Sequence, residues 1–280
     1  MECALYVVAT PIGNMRDISL RALDVLAGAD TIAAEDTRDS AHLLTHHGIT
    51  AKRLLALHQH NERGAANKVI ELLAQGQSVA LITDAGTPAV SDPGALVVQE
   101  VRAAGYKVIP IPGANAAVAA LSAAGLAAPH FLFYGFLPNK SAARRKELQS
   151  LLEHPYTLVL YEAPHRILEC VEDLLAVFGG EREIVLAREI TKMFESIHRC
   201  RLHDAMEWLN SDPNNLRGEF VLLVSAAPER AGGLSAETEY VLGILLHELP
   251  LKQAVQLAVK ITGVARNELY QRALALKPTE

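Results

Sequence analysis

The sequence predicts an α/β protein with two α/β domains, mostly parallel (mixed) sheets and a C-terminal helical appendage. Three observations lead there. Short apolar, β-branched runs alternate with segments of helical period, as in strand–helix units laid side by side. Runs such as "VALIT" lack in–out alternation, as expected of strands covered on both faces. A second series of strand candidates begins near Leu126, which gives domains at 1–124 and 125–228 and a tail at 235–280.

The elements follow in order. "ALYVVA" is strand-like and "ISLRALDVLAGA" has helical spacing; "TIAAED" precedes "RDSAHLLTHHG". "LLALH" precedes "GAANKVIELLAQG", which ends on a helix-stopping glycine. "SVALITD" precedes "DPGALVVQEVRAAG", with Pro93 near the helix start and Gly105 after its end. "KVIPIPG" and "NAAVAALSAAG" form the fifth unit. In the second half "HFLFYGFLP", "YTLVLYEAP", "EIVLARE" and "GEFVLLVSAAP" read as strands, and "ESIHRCRL" as a short strand or hairpin arm. Between them "SAARRKELQSLLEH", "HRILECVEDLLAVFGG" and "LHDAMEWLNS" read as helices. The Ala/Gly/Pro-rich "APERAGGLSAE" (227–237) reads as a linker. Beyond it two helical patterns flank "TGV" with helix–turn–helix spacing, either a DNA-reading motif or, the favoured reading, a docking or dimer-packing appendage.

Composition narrows the classes. Half of the 280 residues are hydrophobic, enough for a sizeable core. A net charge of −6 argues against a general nucleic-acid binder, although "NKSAARRKE" (139–147) is locally basic. Cys3, Cys170 and Cys200 are odd in number and form no CxxC, so reduced thiols in the cytoplasm are expected. The first residues lack the basic region and longer apolar run of a signal peptide. The most apolar run, "ANAAVAALSAAGLAAPHFLF", is broken by Gly125 and Pro129, so no membrane association is expected.

Polar or sharply turning residues stand at nearly every carboxyl-terminal strand end: "TPIGN", Glu35 with Asp36, Asp84, "PGAN", Glu162 and Glu189. Singly, each could merely end a strand or cap a helix. Their recurrence in both halves points to a ligand cleft, because open α/β sheets bind ligands outside these ends. There is no GxGxxG after the first strand and no GxxxxGK[ST], so neither a dinucleotide nor a nucleoside triphosphate is expected. His58 with His60 and His42 with His46 have ligand-like spacing, but no third ligand completes a pattern and no metal is expected.

"TPIGNMRDISLRAL", "AAEDTR", "LHQHNE", "TDAGTPAVSDPG", "PIPGANAAVAALSAAGL", "FYGFLPNK", "YEAPHR" and "AREITKMFE" resemble, in order, the family of bacterial ribosomal RNA small-subunit methyltransferases I, of the tetrapyrrole-methylase fold class. The resemblance spans essentially the whole chain. It implies S-adenosyl-L-methionine in a cleft between two α/β domains. The implied reaction is methylation of the ribose 2′-hydroxyl of a cytidine in the decoding region of 16S rRNA. The small ribosomal subunit is the implied partner, and a homodimer is expected. For the cofactor it implies Asp84 and Thr87 in one loop, and Asn115 and Ala116 in a second wall. It further implies Pro11 and Gly13 as the floor on the substrate side, and Tyr161, Ala187 and Gly218 as the second domain's contribution near the adenosine.

The chemistry sets further expectations. A carboxylate tight against a sulfonium stabilises the ground state more than the transition state, so Asp84 is expected at another part of the donor. A ribose hydroxyl needs a general base. The candidates are Lys192 and Glu195, which are preferred, with Glu189 and His58; Lys192 would need a depressed pKa, and a structural ion pair is the alternative. Arg38, Lys140, Arg144, His165 and Arg166 are candidate RNA-phosphate contacts, although "RRK" could be a solvated helix face. Tyr134 or Phe136 could stack on an exposed base or pack in the core. Two other functions stay open. One is a tetrapyrrole C-methyltransferase, whose GxGPGD-like first loop "TPIGNMRD" departs from; the other is a non-catalytic RNA-binding assembly protein, against which the acidic balance argues.

Overall fold

A computed structural model describes residues 1–58, 61–126, 129–228, 234 and 236–276; His60 lies outside them. The chain divides into two compact units, Met1–Ala227 and Pro228–Glu280.

The first unit holds two five-stranded sheets. Strands β1 (Leu5–Val8), β2 (Thr31–Ala34), β3 (Leu54–Ala56), β4 (Val79–Ile82) and β5 (Val108–Ile111) form one in the order β3-β2-β4-β1-β5. All its pairings are parallel. Helices α1 (Leu20–Gly28) and α2 (Thr37–His46) cover one face through Val25, Leu26 and Leu44. Helices α3 (Glu62–Ala74) and α4 (Ala95–Ala103) cover the other through Val69, Leu72, Leu73, Val97 and Val101. Every residue of β2 and β4 is therefore buried, which explains their unbroken apolar runs. Side-chain caps fix the helix starts: Ser19 accepts from the Ala22 amide, and Asp36 from the Arg38 amide.

The second sheet consists of β6 (Phe131–Phe136), β7 (Thr157–Glu162), β8 (Glu183–Arg188), β9 (Ser196–Arg201) and β10 (Phe220–Val224), in the order β6-β7-β10-β8-β9. Only β6 and β7 are parallel; β10 runs antiparallel to both β7 and β8, and β9 is the outer arm of a hairpin. Helices α6 (Ser141–Ser150), α7 (Ile167–Phe178) and α8 (Leu202–Ser211) bury one face of this sheet. Its other face is covered by α5 (Ala116–Ala123), whose Ala117 and Ala120, with Ala124, pack on Val159, Val185, Ala187, Val221 and Leu223. The expected boundary at 124/125 thus assigns to the first domain a helix whose buried face lies on the second sheet.

The basic run in α6 departs from expectation. Arg144 has no exposed surface: its Nε donates to Asp173 on α7 at 2.6 Å. Arg145 and Ser141 also donate to that carboxylate. Arg144 was expected to reach RNA phosphate; it is instead an internal tie between helices. Burial alone would raise the Asp173 pKa, but the bonds from Arg145, Arg144 and Ser141 outweigh it and hold it below the ordinary value.

The second unit is a three-helix cluster: α9 (Ala236–Glu248), α10 (Leu251–Thr262) and α11 (Arg266–Leu276) around Leu242, Val255, Ala258, Leu269 and Ala273. The sequence predicts α10 and α11. It misses α9, because Tyr240, Val241, Leu242, Ile244, Leu245 and Leu246 run around the helix and leave no single apolar stripe. Among the described residues no helix is long and apolar enough to cross a membrane.

Replacing Asp173 strands a buried guanidinium, so Asp173→Ala should cost roughly 3–5 kcal/mol of stability in denaturant unfolding. Because the folded pKa is lowered, this contribution is complete above the ordinary carboxylate value of 3.8 and is lost as pH falls through the folded pKa. The melting-temperature gap between wild type and Asp173→Asn should therefore be full at neutral pH and narrow on acidification below that value.

Candidate functional site

The carboxyl tips of both sheets enclose a cavity of about 460 Å³. The first sheet contributes Ile12 after β1, the 85–92 segment after β4, and Asn115 and Ala116 after β5. The second contributes Phe136 at the end of β6, Tyr161 to His165 after β7, and Ile190 after β8. Glu219, Phe220 and Val221 join them because β10, running antiparallel, presents its amino end where β7 and β8 present their carboxyl ends.

The loop after β4 is clamped from four sides. Thr10 and Gly86 exchange backbone hydrogen bonds of 2.8 and 3.1 Å. Thr87 Oγ1 donates to the Ala114 carbonyl at 3.1 Å, joining this loop to the one after β5. One Glu62 carboxylate oxygen accepts from the Gly94 and Leu96 amides at 2.8 and 3.1 Å. It thereby caps α4, to which Gly94 offers no side chain. On the fourth side Ser91 lies against Gly135, where a β-carbon would stand 2.8 Å from Ser91 Oγ. Gly135 has φ +79° at the register shift between β6 and β7, so glycine is required there twice over. Within the loop Ala89 and Ser91 adopt φ of 68° and 63°, a left-handed conformation that is costly for residues with a side chain.

The opposite wall is equally fixed. The Tyr161 hydroxyl accepts from the Ala117 amide at 3.2 Å, and its ring meets Phe133 and Phe136 edge-on at 5.1 and 5.6 Å. Burial pushes its pKa up. Glu162 pairs with Arg166 at 3.1 Å. Arg166 also donates to the Leu137 carbonyl at 2.8 Å, so this arginine, expected on RNA, holds the loop after β7 and is nearly buried.

The "ITKMFE" segment forms a cross-tied turn with Glu189 and Thr191 at φ 52° and 68°. Lys192 Nζ donates to Glu189 and Glu219, both at 2.9 Å. The Glu195 carboxylate accepts from the Thr191 amide at 2.6 Å, and Arg188 donates to the Phe194 carbonyl at 3.0 Å. Burial works against the charge on Lys192, yet its two carboxylate partners outweigh it and raise the pKa. A lysine base requires the reverse, so of the two preferred bases Lys192 is held here as an ion-paired strut, the alternative weighed for it. Its stem lies against Gly13, where a β-carbon would collide with it.

Five of the expected residues line the cavity: Thr87, Asn115, Ala116, Tyr161 and His165. Asp84 stands beside it and accepts from the Asp36 amide at 3.0 Å, joining the tips of β2 and β4. Pro11, Gly13, Gly218, Glu189, Glu195 and His58 are outside the lining. Gly218 makes room for the Glu189 carboxyl, and Ala187 is sealed beneath α5. Lys140 is exposed at the start of α6. Arg38 is exposed and paired with Asp36, whose pKa its hydrogen bonds hold down to about 2. Of the two aromatics, Phe136 is half exposed in the cavity wall. Tyr134 packs on the α6–α8 core, where burial and then a hydrogen bond to Glu147 push its pKa up to about 12.

Sequence reasoning missed Asp92, which it read only as part of a helix start. Burial raises its pKa to about 6, helped by the nearby charges of Glu35 and Asp84. Glu35 is raised as well, by burial and then Asp84. The quoted "SDPG" carries no local sign of this, because the burial and the neighbouring acids come from other strands.

A volume of this size, with apolar walls and a few converging polar groups, suits one small molecule. S-adenosyl-L-methionine fits the lining. Its purine matches the apolar walls of Val90, Ile190 and Val221, and the acid-bearing lining suits a ligand that carries net positive charge.

Comparison with known proteins agrees. Residues 4–205 match the family model described as Tetrapyrrole (Corrin/Porphyrin) Methylases, and residues 232–277 match the RsmI C-terminal HTH domain. The chain is 53% identical to the ribosomal RNA small subunit methyltransferase I of Pseudomonas aeruginosa over 96% of each chain. It is 49% identical to that of Haemophilus influenzae over 97% of this chain and 96% of the relative. Among solved structures, the methyltransferase CobJ superposes with a TM-score of 0.60 at 22% identity, over 80% of this chain and 94% of that one. A uroporphyrin-III C-methyltransferase from Thermus thermophilus, complexed with S-adenosylhomocysteine, gives a TM-score of 0.56 at 17% identity over 80% and 98%. The chain belongs to the tetrapyrrole methylases and, within them, to the family of ribosomal RNA small subunit methyltransferases I.

Proposed function

We propose that this chain methylates the 2′-hydroxyl of a cytidine ribose in the decoding region of small-subunit ribosomal RNA, using S-adenosyl-L-methionine. The observation that supports it is the acid-and-apolar cavity between both sheet tips, in a chain about half identical to relatives named ribosomal RNA small subunit methyltransferase I. When bound, the donor supplies an electrophilic methyl group.

The chain's own residues do the rest. Thr87, Asn115, Ala116 and Tyr161 line the donor's place on loops pinned to one another, so little ordering is left for the moment of reaction. Phe136 offers an exposed ring at the same wall on which an unstacked base can lie. His165 at the cavity, with Lys140 and Arg38 exposed on the same unit, are the hydrogen-bonding side chains offered to RNA phosphates. The substrate places the reaction in the cytoplasm, with assembled small subunits. A homodimer belongs to the same reading: Tyr240 and Ile244, four residues apart on α9, are exposed apolar side chains of the kind that seat against a second copy.

Three outcomes are expected. Small subunits with unmodified rRNA, incubated with the chain and methyl-labelled donor, should yield labelled 2′-O-methylcytidine on nucleoside mass spectrometry; label on a base, or none, would reject the assignment. Phe136→Ala should raise the acceptor KM on the order of tenfold, in line with the loss of one stacking contact, while calorimetric donor affinity stays unchanged. Light scattering should give twice the chain mass, and Tyr240→Glu should shift it towards the monomer; a wild-type monomer at assay concentration would remove the dimer from the proposal.

A further inference from the structure

We propose that Asp92 is the general base of this site, the group that takes the proton from the acceptor's ribose hydroxyl. The inference rests on the ribose methylation proposed above.

Three acidic side chains line the cavity: Asp92, Glu162 and Glu219. Two are committed, Glu162 to Arg166 and Glu219 to Lys192. Asp92 has no cationic partner among the described residues, and the Thr83 side chain, the one neighbour that favours its charge, does not offset burial and the nearby acids. The titratable groups facing it are Glu35 beyond β2, Asp84 beyond β4 and Tyr161 on β7. None of these is a cation that would quench a carboxylate's basicity.

The backbone supports the assignment independently. Ala89 and Ser91, the latter directly before Asp92, hold left-handed conformations. Such strain persists only where the surroundings impose it, and it concentrates at functional positions. Here the surroundings are the Glu62 carboxylate at the loop's end and Gly135 against Ser91. The clamps fix Asp92 in the wall rather than letting it turn to water. A carboxyl raised to about 6 is ionised at neutral pH, yet more basic than an ordinary aspartate, which is what a general base working near neutrality needs.

In the step, the ribose oxygen forms its bond to the methyl carbon as the carbon–sulfur bond breaks and its electron pair stays on sulfur. The hydroxyl proton passes to the Asp92 carboxylate, which then releases it to water. The donor's positive charge is lost and one proton appears in solution, so atoms and charge balance with no further reactant.

The test uses the full-length chain, its D92N and D92E variants, small subunits and S-adenosyl-L-methionine. Wild-type kcat should rise with pH and level off above about pH 6. D92N should lose about 10²- to 10⁴-fold in kcat together with that limb, D92E should recover part of the rate, and calorimetric donor affinity should be unchanged in both. A readout without turnover accompanies these. The folded state holds the Asp92 proton more tightly than the unfolded chain, so ionisation costs stability as pH rises through that range. D92N should therefore melt higher than wild type in mildly alkaline buffer, and the gap should close in acid.

A D92N enzyme with wild-type kcat overturns the proposal, as does one that loses donor affinity while keeping the pH limb. A wild-type profile without the limb overturns it even if D92N does not fold. Failure of the wild-type chain to methylate ribose would sink the function itself; ribose methylation undiminished in D92N would sink only the base.

Discussion

Helix α5 leaves the first sheet after Ile111 and lays Ala117, Ala120 and Ala124 against Val159, Val185 and Val221 of the second. Everything at the cavity is referred to this contact. Alanines keep the helix axis close to the sheet, and its first turn carries two of the lining residues, Asn115 and Ala116, with it. Asn115 caps the helix by accepting from the Val118 amide, so one residue both begins the helix and faces the ligand space. The Ala117 amide, free at a helix start, is taken up by the Tyr161 hydroxyl. A helix end and a strand end thus satisfy one another across the cleft. A larger residue at 117 or 120 would lift the helix and displace both walls together.

The two walls of the cleft are therefore tied to one another by packing and hydrogen bonds at their tips. Lys192 shows how the second sheet's turn takes part. Its ammonium holds two carboxylates of the second sheet, while its stem rests on Gly13 of the first. A residue type associated with acid–base work is here a spacer between loops. Of the three acids that line the cavity two are ion-paired, and Asp92 alone has no cationic partner among the described residues, an arrangement suited to a positively charged small ligand beside a negatively charged polymer.

Much of this was legible in the residues. All ten strands among the described residues correspond to segments the sequence marks out: β2, β4 and β10 as apolar runs buried on both faces, the rest as short runs bounded by glycines, prolines and polar turns. The strand tips were legible too, as acids and turns that recur after each run. What was hidden depends on partners distant in sequence. Nothing near β10 says that it inserts antiparallel between β7 and β8. The "RRK" run looks solvated until Asp173 on α7 is brought beneath Arg144. Lys192 and Asp92 are both partly buried beside carboxylates, which secure the charge on the lysine and oppose it on the aspartate. Local pattern fixes neither sign. Helix α9 was hidden differently, since a helix apolar all round has no periodic face to detect.

The meeting of Ser91 with Gly135 carries an evolutionary consequence. A strained turn from one half of the cleft occupies the space a side chain would need at a bulge in the other half. Neither half can then drift alone: a bulkier turn or a straightened bulge must await its counterpart. Chimaeras that exchange one lobe between distant homologues should inherit the fold of each parent and still lose the seam between them, unless both positions travel as a pair.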